Sequence, residues 1–429
     1  MKYLAALSFF LLLNSPPPLV AQNLSETALK SIESQVILWR RHLHQHPELS
    51  NREFKTGKYI DQELKKMGIE TETGVAHTGV VGFIKGGQPG PTVALRADID
   101  ALPVTERVDL PFASKVKTTY LGEEVGVMHA CGHDTHVAML LGAAQLLKAQ
   151  QSQLRGNILL IFQPAEEGAP PGEQGGAELI VKEGILEKYN VAVIFGQHIS
   201  SGTPVGKINY RVGGMMAASD RFTIKVKGKQ AHGSRPWGGV DPITVSAQII
   251  MGLQTIISRQ TNLTREAAVI SIGKIQGGVR NNIIPEEVEM IGTIRTLDTE
   301  MQKTIHQKIR QTATLIAESA GATAEVDIQV GYPVTYNNPT LTRKMINTLY
   351  DCAGEQNVRV VPAITGAEDF SFYAQQVPGL FYFLGGRSPS VAAEDAPGHH
   401  TPDFYIDESG MLLGVKTMVR LALDYMVME

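Results

Sequence analysis

Two hydrophobic periods alternate along the first two hundred residues. From Glu26 to Met67, apolar side chains such as Val36, Ile37, Leu43, Ile60, Leu64 and Met67 recur at helical spacing, and Pro47 divides the run, which predicts two helices. The period then changes. Val80–Ile84 and Thr92–Leu95 read as strands on either side of a Gly-Gly-Gln-Pro-Gly turn. Thr135–Ala149 reads as a helix rich in small residues, while Gly156–Phe162 and Val191–Gly196 are continuous apolar runs of the kind buried on both faces. Helices alternating with such strands predict an α/β fold, a mixed sheet covered by helices on both faces.

Near Met215 the texture changes. Asp220–Gly228 alternates polar and apolar residues, as a sheet with one wet face does. A helical pattern at Asp241–Arg259, strands at Ala267–Ile275 and Glu287–Arg295, a helix at Glu300–Ala320 and a strand at Ala324–Val330 follow. That order, β-α-β-β-α-β, predicts a ferredoxin-like α+β unit. From Pro339 the α/β texture returns, with a helix at Leu341–Gly354 and a strand at Gly379–Leu384. The chain therefore reads as a main domain over 22–213 and 330–429, split by an insert at 214–329. Hinges are expected near Gly213-Gly214 and Gly331.

Composition narrows the class. A chain of 429 residues with 43% hydrophobic and 19% charged residues has the means to bury a core. The net charge of −4 gives no footprint for nucleic acid. Two cysteines, Cys131 and Cys352, exclude a disulfide framework. Met1-Lys2-Tyr3, the apolar stretch Leu4–Leu13 and Pro16-Pro17-Pro18 read as a signal peptide over 1–21, cut after Ala21, which implies a periplasmic or secreted enzyme or binding protein. No other segment is apolar for 18 residues, so no membrane span is expected in the mature chain.

Candidate chemistry sits beside the strands. Five stretches stand out: Arg96-Ala97-Asp98-Ile99-Asp100, His129–Asp134, Pro164–Gly168, Gly196-Gln197-His198 and His399-His400-Thr401-Pro402. Brought to one sheet edge, their thiol, imidazole and carboxylate groups suit a transition metal such as zinc better than calcium or magnesium. Each group alone has a plainer reading: Cys131 as an inert core thiol, Glu166-Glu167 as a solvated pair, His198 as a core histidine, His399-His400 as loop residues. His42, His44 and His46 read as structural or surface groups. In the insert, the loop holding His232, the Val279–Pro285 turn with Asn282, and Arg295 at a strand end are equally consistent with ordinary turn chemistry.

Taken in order, the motifs resemble the aminoacylase/carboxypeptidase metallohydrolase family, in its amidohydrolase branch of hippurate and auxin-conjugate hydrolases. The matching stretches include RADIDALP (96–103), HACGHDTH (129–136), FQPAEEG (162–168), AHGSRPWGGVDP (231–242), NNIIPEE (281–287), GAEDFSFY (366–373) and HHTPDF (399–404). The resemblance implies a phosphorylase/hydrolase-like fold of the dimetal peptidase type whose insert is a lid and dimerisation domain. It also implies two divalent metal ions (zinc, manganese, nickel or cobalt) on Cys131, His133, Glu167, His198 and His400. Glu166 is then the general base, Asp100 orients a ligand or the base, and His232 reaches in, often from a partner subunit, to stabilise the oxyanion. Asn282 and Arg295 become candidates for binding the substrate carboxylate. Where carboxypeptidase members carry His-x-Asp, this chain has Asp98-Ile99-Asp100, which leaves the role of Asp98 open. The expected reaction is amide hydrolysis of N-acyl amino acids or similar conjugates by a homodimer or higher oligomer. A dipeptidase or carboxypeptidase, or an inactive metal- or peptide-binding protein, are the alternatives.

Overall fold

The computed structural model describes residues 24–428, so the leader expected over 1–21 lies outside the described residues. An eight-stranded mixed sheet forms the centre. Its order is Glu70–Val75, Gly79–Lys85, Arg155–Gln163, Gln88–Asp98, Val191–Pro204, Gly379–Arg387, Ile208–Tyr210 and Val358–Val360. Four adjacent strands in the middle are parallel, and their register sets Asp98 beside Gln163, Arg96 beside Gly196 and His198 beside Phe383.

Strand alternation divides the core into two layers. Val93, Leu95, Ile158, Leu160 and Phe162 face the helices Glu33–Gln45, Phe54–Lys66, His133–Ala149 and Met411–Met428. Ala94, Leu159 and Ile161 face the opposite side, with Ile180, Phe370 and Phe381. The sheet is thus covered on both faces, as the apolar runs predict.

A second sheet takes its strands from Ala218–Lys227, Ala268–Gly277, Glu287–Thr296 and Thr323–Tyr332. All its pairings are antiparallel, in the spatial order second, third, first, fourth, which is the ferredoxin-like arrangement. The helices Pro242–Gln260 and Thr299–Ser319 pack on one face of it around Phe222, Ile249, Leu253, Met290, Ile305 and Ile309. Both helices start where the sequence supplies a cap: Asp241 accepts from Ile243 N and Thr244 N ahead of Pro242, and Asp298 accepts from Met301 N. The two crossings between the sheets run together, because Gly213–Met216 pairs with Thr335–Asn337. A side chain at Gly214 would come within 2.4 Å of the Leu297 carbonyl oxygen, so only glycine fits there.

Three elements differ from the sequence reading. The first helical region is three helices, Glu26–Ser31, Glu33–Gln45 and Phe54–Lys66, with a break at Ile32. The strand begun by Val191 continues to Pro204, because Gln197, His198 and Ser201 are buried by polar partners that hydrophobicity does not register. A polar hairpin, Lys117–Tyr120 with Glu123–Gly126, has no apolar period to reveal it.

Candidate active site

The carboxyl ends of the parallel strands carry the site, the usual place for ligands in such sheets. Gly132 separates Cys131 from His133 at the start of the Thr135-containing helix. Its φ is +98° and a Cβ would lie 2.3 Å from Ile199, so the two donors sit side by side only because residue 132 is glycine. Ala165, just before Glu166, and His400 are among the non-glycine residues that hold the left-handed conformation. Strain of this kind collects at functional sites.

Hydrogen bonds fix which imidazole nitrogen of His133 and of His198 is left for the cage. His133 donates from Nδ1 to the Asp100 carbonyl oxygen at 2.9 Å and approaches Asp100 Oδ1 at 3.2 Å. Its Nε2 is buried without a hydrogen bond, 3.8 Å from Asp98, 3.7 Å from Glu166 and 3.9 Å from Glu167. His198 donates from Nδ1 to the Ile199 carbonyl at 2.6 Å, which leaves Nε2 3.4 Å from the Cys131 sulfur. His400 Nε2 meets Glu167 Oε1 at 3.1 Å. Such a bond at one ring nitrogen presents the other to a metal.

Two neighbouring histidines are spent differently. His136 donates from Nδ1 to Asp98 and accepts the Ile199 N–H at Nε2, so both nitrogens are occupied. His399 accepts the Ser201 N–H at Nε2, and its Nδ1 lies 3.2 Å from the Cys131 carbonyl and 3.7 Å from its sulfur.

Ligand-type atoms lie within 4.8 Å of one another in overlapping groups: Cys131 with Glu167 and His400, Cys131 with His198 and His399, and His133 with Glu166 and Glu167. All five expected ligands therefore belong to one constellation. The orphaned Nε2 of His133, a thiol and two further imidazoles facing carboxylates form a donor set that suits divalent transition metals.

The electrostatics point the same way. Burial, then the carboxylates Glu167, Glu166 and Asp98, push the Cys131 thiol well above its ordinary value. Burial and the neighbours Glu368, Glu167 and Asp369 raise Glu166 likewise. Burial opposes charge on His133, but Asp98 and Asp100 outweigh it and lift the ring to about 10. This is a pocket with excess negative charge, and a bound cation reverses each of these tendencies.

Behind the site stands Arg96, fully buried. It bonds Gln163 and Asp98, and its Nη2 reaches Asp369 at 2.9 Å and Glu368 at 3.0 Å. Asp98 thus links Arg96 to His136, and approaches His133. Asp100 takes Ser50 Oγ at 2.7 Å and the Glu167 N–H at 3.0 Å, which ties three segments of the site together. Glu368, Asp369, His136 and Arg96 lie within the matching motifs, but their chemistry is not apparent from the sequence. The His133–His136 spacing on a helix start was the one local signal for His136.

The insert residues stand apart. His232 is exposed and its Nδ1 meets Ser234, and Asn282 is exposed in a turn. Arg295 is half-buried, with Nη1 enclosed and without a hydrogen bond. Among the described residues no hydrogen bond or ion pair joins any of the three to the constellation. His44 is structural, held between Asp134 and Glu106. Cys352 is a core thiol, pushed up to about 12 by burial.

A mixed sheet with a buried thiol, imidazole and carboxylate cage at its carboxyl edge, beside a glutamate, defines a metal-dependent hydrolase. The comparison with known proteins agrees: residues 94–424 match Peptidase family M20/M25/M40, and the chain belongs to that family. It is 43% identical over 399 residues to "Thermostable carboxypeptidase 2" of Saccharolobus solfataricus, covering 92% of this chain and 97% of the relative. It is 40% identical over 386 residues to "N-acetyl-L-cysteine deacetylase" of Bacillus subtilis, covering 90% and 86%. The crystal structure of the YXEP protein of Bacillus subtilis, a dinuclear metal binding peptidase of the M20 family, superposes with a TM-score of 0.77 at 36% identity, covering 93% and 99%.

Proposed function

We propose that the protein hydrolyses the amide bond of N-acyl amino acids or similar small conjugates, releasing a carboxylic acid and an amino acid. The observation that carries this reading is Glu166. Its carboxylate takes no hydrogen bond from the described residues and lies 3.7 Å from His133 Nε2, at the edge of the cage and free to handle a proton.

Cys131, His133, Glu167, His198 and His400 would hold two divalent cations, zinc, manganese, cobalt or nickel. When bound, these supply polarisation of the amide carbonyl and acidification of a water. Glu166 takes the proton of the attacking water and passes it to the leaving nitrogen. Asp100 keeps His133 in the tautomer whose Nε2 faces the cage. Tyr332 donates to the Glu166 carbonyl oxygen at 2.7 Å and steadies the backbone of the base from the last strand of the second sheet.

His232 serves as the oxyanion donor when the insert of a partner subunit closes over the cage, and Asn282 and Arg295 take the substrate carboxylate. The unpartnered guanidinium nitrogen of Arg295 supports an anion there. Pairing of subunits through the insert is supported by its edge strand, Ala268–Gly277, where Val269 and Ile275 are exposed. The leader-like start supports a periplasmic or secreted location.

The test is turnover by the metal-loaded protein of N-acetyl, N-benzoyl and indoleacyl amino acids beside dipeptides. Hydrolysis of the acyl amino acids supports the reading. Turnover of dipeptides alone would make the chain a dipeptidase, and no turnover with metal bound would make it a binding protein.

A further inference from the structure

The loop that carries Glu166 is strained and is held from two sides. Ala165 has φ of +52° and Gly168 of +102°, and a non-glycine residue keeps such a conformation only where its surroundings impose it. The main domain supplies part of the hold: Ala165 N donates to Glu53 Oε1 at 2.9 Å and Glu167 N to Asp100 Oδ2 at 3.0 Å. The rest comes from the insert. The Glu166 carbonyl oxygen accepts from the Tyr332 hydroxyl at 2.7 Å, and Tyr332 ends the strand Thr323–Tyr332 of the second sheet.

A β-bulge aims Tyr332 at that carbonyl. Ser219 lies opposite Tyr332 but Arg221 opposite Gln329, so this strand carries one residue more than its neighbour here. The bulge requires Gly331, because a Cβ there would lie 2.0 Å from the Ser219 carbonyl oxygen. Gly331 N donates to Asp220 Oδ1 at 3.2 Å, and the buried Asp220 also takes Gln302 Nε2 at 2.8 Å and meets His306 Nε2 at 2.7 Å. Gln302 and His306 belong to the helix Thr299–Ser319, so the bulge is clamped to the body of the insert. Tyr332 therefore moves with the insert.

The segments that flank it are tied to the main domain instead. Ala217 N donates to the Ile364 and Gly366 carbonyl oxygens, and Thr335 Oγ1 donates to the Glu368 carbonyl oxygen at 3.1 Å. Both crossings are thus fastened close to the insert, which leaves the short stretches between Ala217 and Ser219, and between Tyr332 and Thr335, as the places where it can turn. Tyr332 is the last insert residue before the second stretch. A turn of the insert displaces its hydroxyl from the Glu166 carbonyl.

From these observations we infer that Tyr332 is a positioning residue through which the insert sets the pose of Glu166: the base is aligned on the cage while the insert is seated with this bond made, and is released when the insert turns away. The inference rests on the role of Glu166 proposed above and adds a condition to it. Seating of the insert and alignment of the base become linked, so whatever favours one favours the other.

The experiment compares the metal-loaded full chain with Tyr332→Phe, Asp220→Asn and the double variant, on the best acyl amino acid of the panel above. Tyr332→Phe removes one hydroxyl and keeps the ring against Phe372. Its kcat should fall on the order of ten- to a hundredfold, the scale of a misplaced reacting group, with KM and metal content unchanged. Asp220→Asn loosens the bulge within the insert and should lower kcat in the same way, yet cost nothing further in the Tyr332→Phe background. Where Asp220→Asn does not fold, His306→Ala opens the same clamp from its more exposed side. Hydrogen exchange at residues 165–168 should quicken in each variant, while the strand Arg155–Gln163 stays as protected as in the native chain. Native kcat in Tyr332→Phe, or equal losses from Asp220→Asn with and without the hydroxyl, would overturn the inference. Exchange needs no turnover, so a chain that hydrolyses no acyl amino acid but shows the quickened loop in both variants would overturn the proposed function while supporting the link between insert and loop.

Discussion

His198 and Cys131 face each other with Nε2 3.4 Å from Sγ, and His198 is held in that pose because its Nδ1–H is engaged by the Ile199 carbonyl. Two donors so placed are organised for a shared cation, which on binding displaces the thiol proton. Cys131→Ala and His198→Ala should each weaken metal binding by more than about tenfold. His399→Ala should leave the metal content of the purified protein intact, because that ring is occupied by Ser201 and Cys131. Elemental analysis after dialysis distinguishes these outcomes, and unchanged metal content in Cys131→Ala would reduce the sulfur to a core thiol.

Glu166→Gln keeps the shape of the base and removes its proton affinity. Metal content should persist while kcat falls on the order of 10²- to 10⁴-fold, the range for a positioned general base. Retained turnover at full metal occupancy would move the proton to another group.

Arg96 is enclosed by Asp98, Glu368 and Asp369, none of them exposed. Arg96→Met leaves three buried carboxylates without their cation and should cost about 3–5 kcal/mol, read as a lowered urea midpoint. Arg96→Lys should recover only part of this, since one ammonium does not reproduce the planar fork that reaches Gln163 and the acids together. Native-like unfolding of Arg96→Met would show the carboxylates sharing protons without help from the guanidinium.

Burial and the neighbouring Asp100 lift Glu53 from 4.5 to about 8, although Thr78 and Ala165 donate to it. In the folded metal-free protein Glu53 therefore keeps a proton that the unfolded chain has released. Its contribution to stability is complete below pH 4.5 and is lost as pH rises through 8. Glu53→Gln should unfold near the native temperature at pH 5 and above it at pH 9, by thermal melts of metal-free protein. A difference independent of pH would show Glu53 ionised throughout.

The ligands were legible because they come in short strings. Cys131 with His133, and Glu166 with Glu167, carry their chemistry within three residues, and the strands that present them are unbroken apolar runs. Arg96 was not legible as the pivot of the site, since its partner Asp369 is 273 positions away and only the sheet register brings them together. The extension of the Val191 strand was hidden for a related reason: Gln197 and His198 are buried through bonds to Tyr382 and Ile199, which a hydrophobic pattern counts as exposure. His232, Asn282 and Arg295 were legible as motif residues, but a single chain does not bring them to the cage.

The paired segments Gly213–Met216 and Thr335–Asn337 have one more consequence. Met216 and Thr335 are ladder neighbours, so everything between them leaves and rejoins the main fold at one point. The second sheet is in this sense a cassette. It could be exchanged for another of different length or partner preference by rejoining two adjacent chain ends, with the register of the parallel strands left untouched, provided the replacement again supplies the Tyr332 bond to the Glu166 carbonyl.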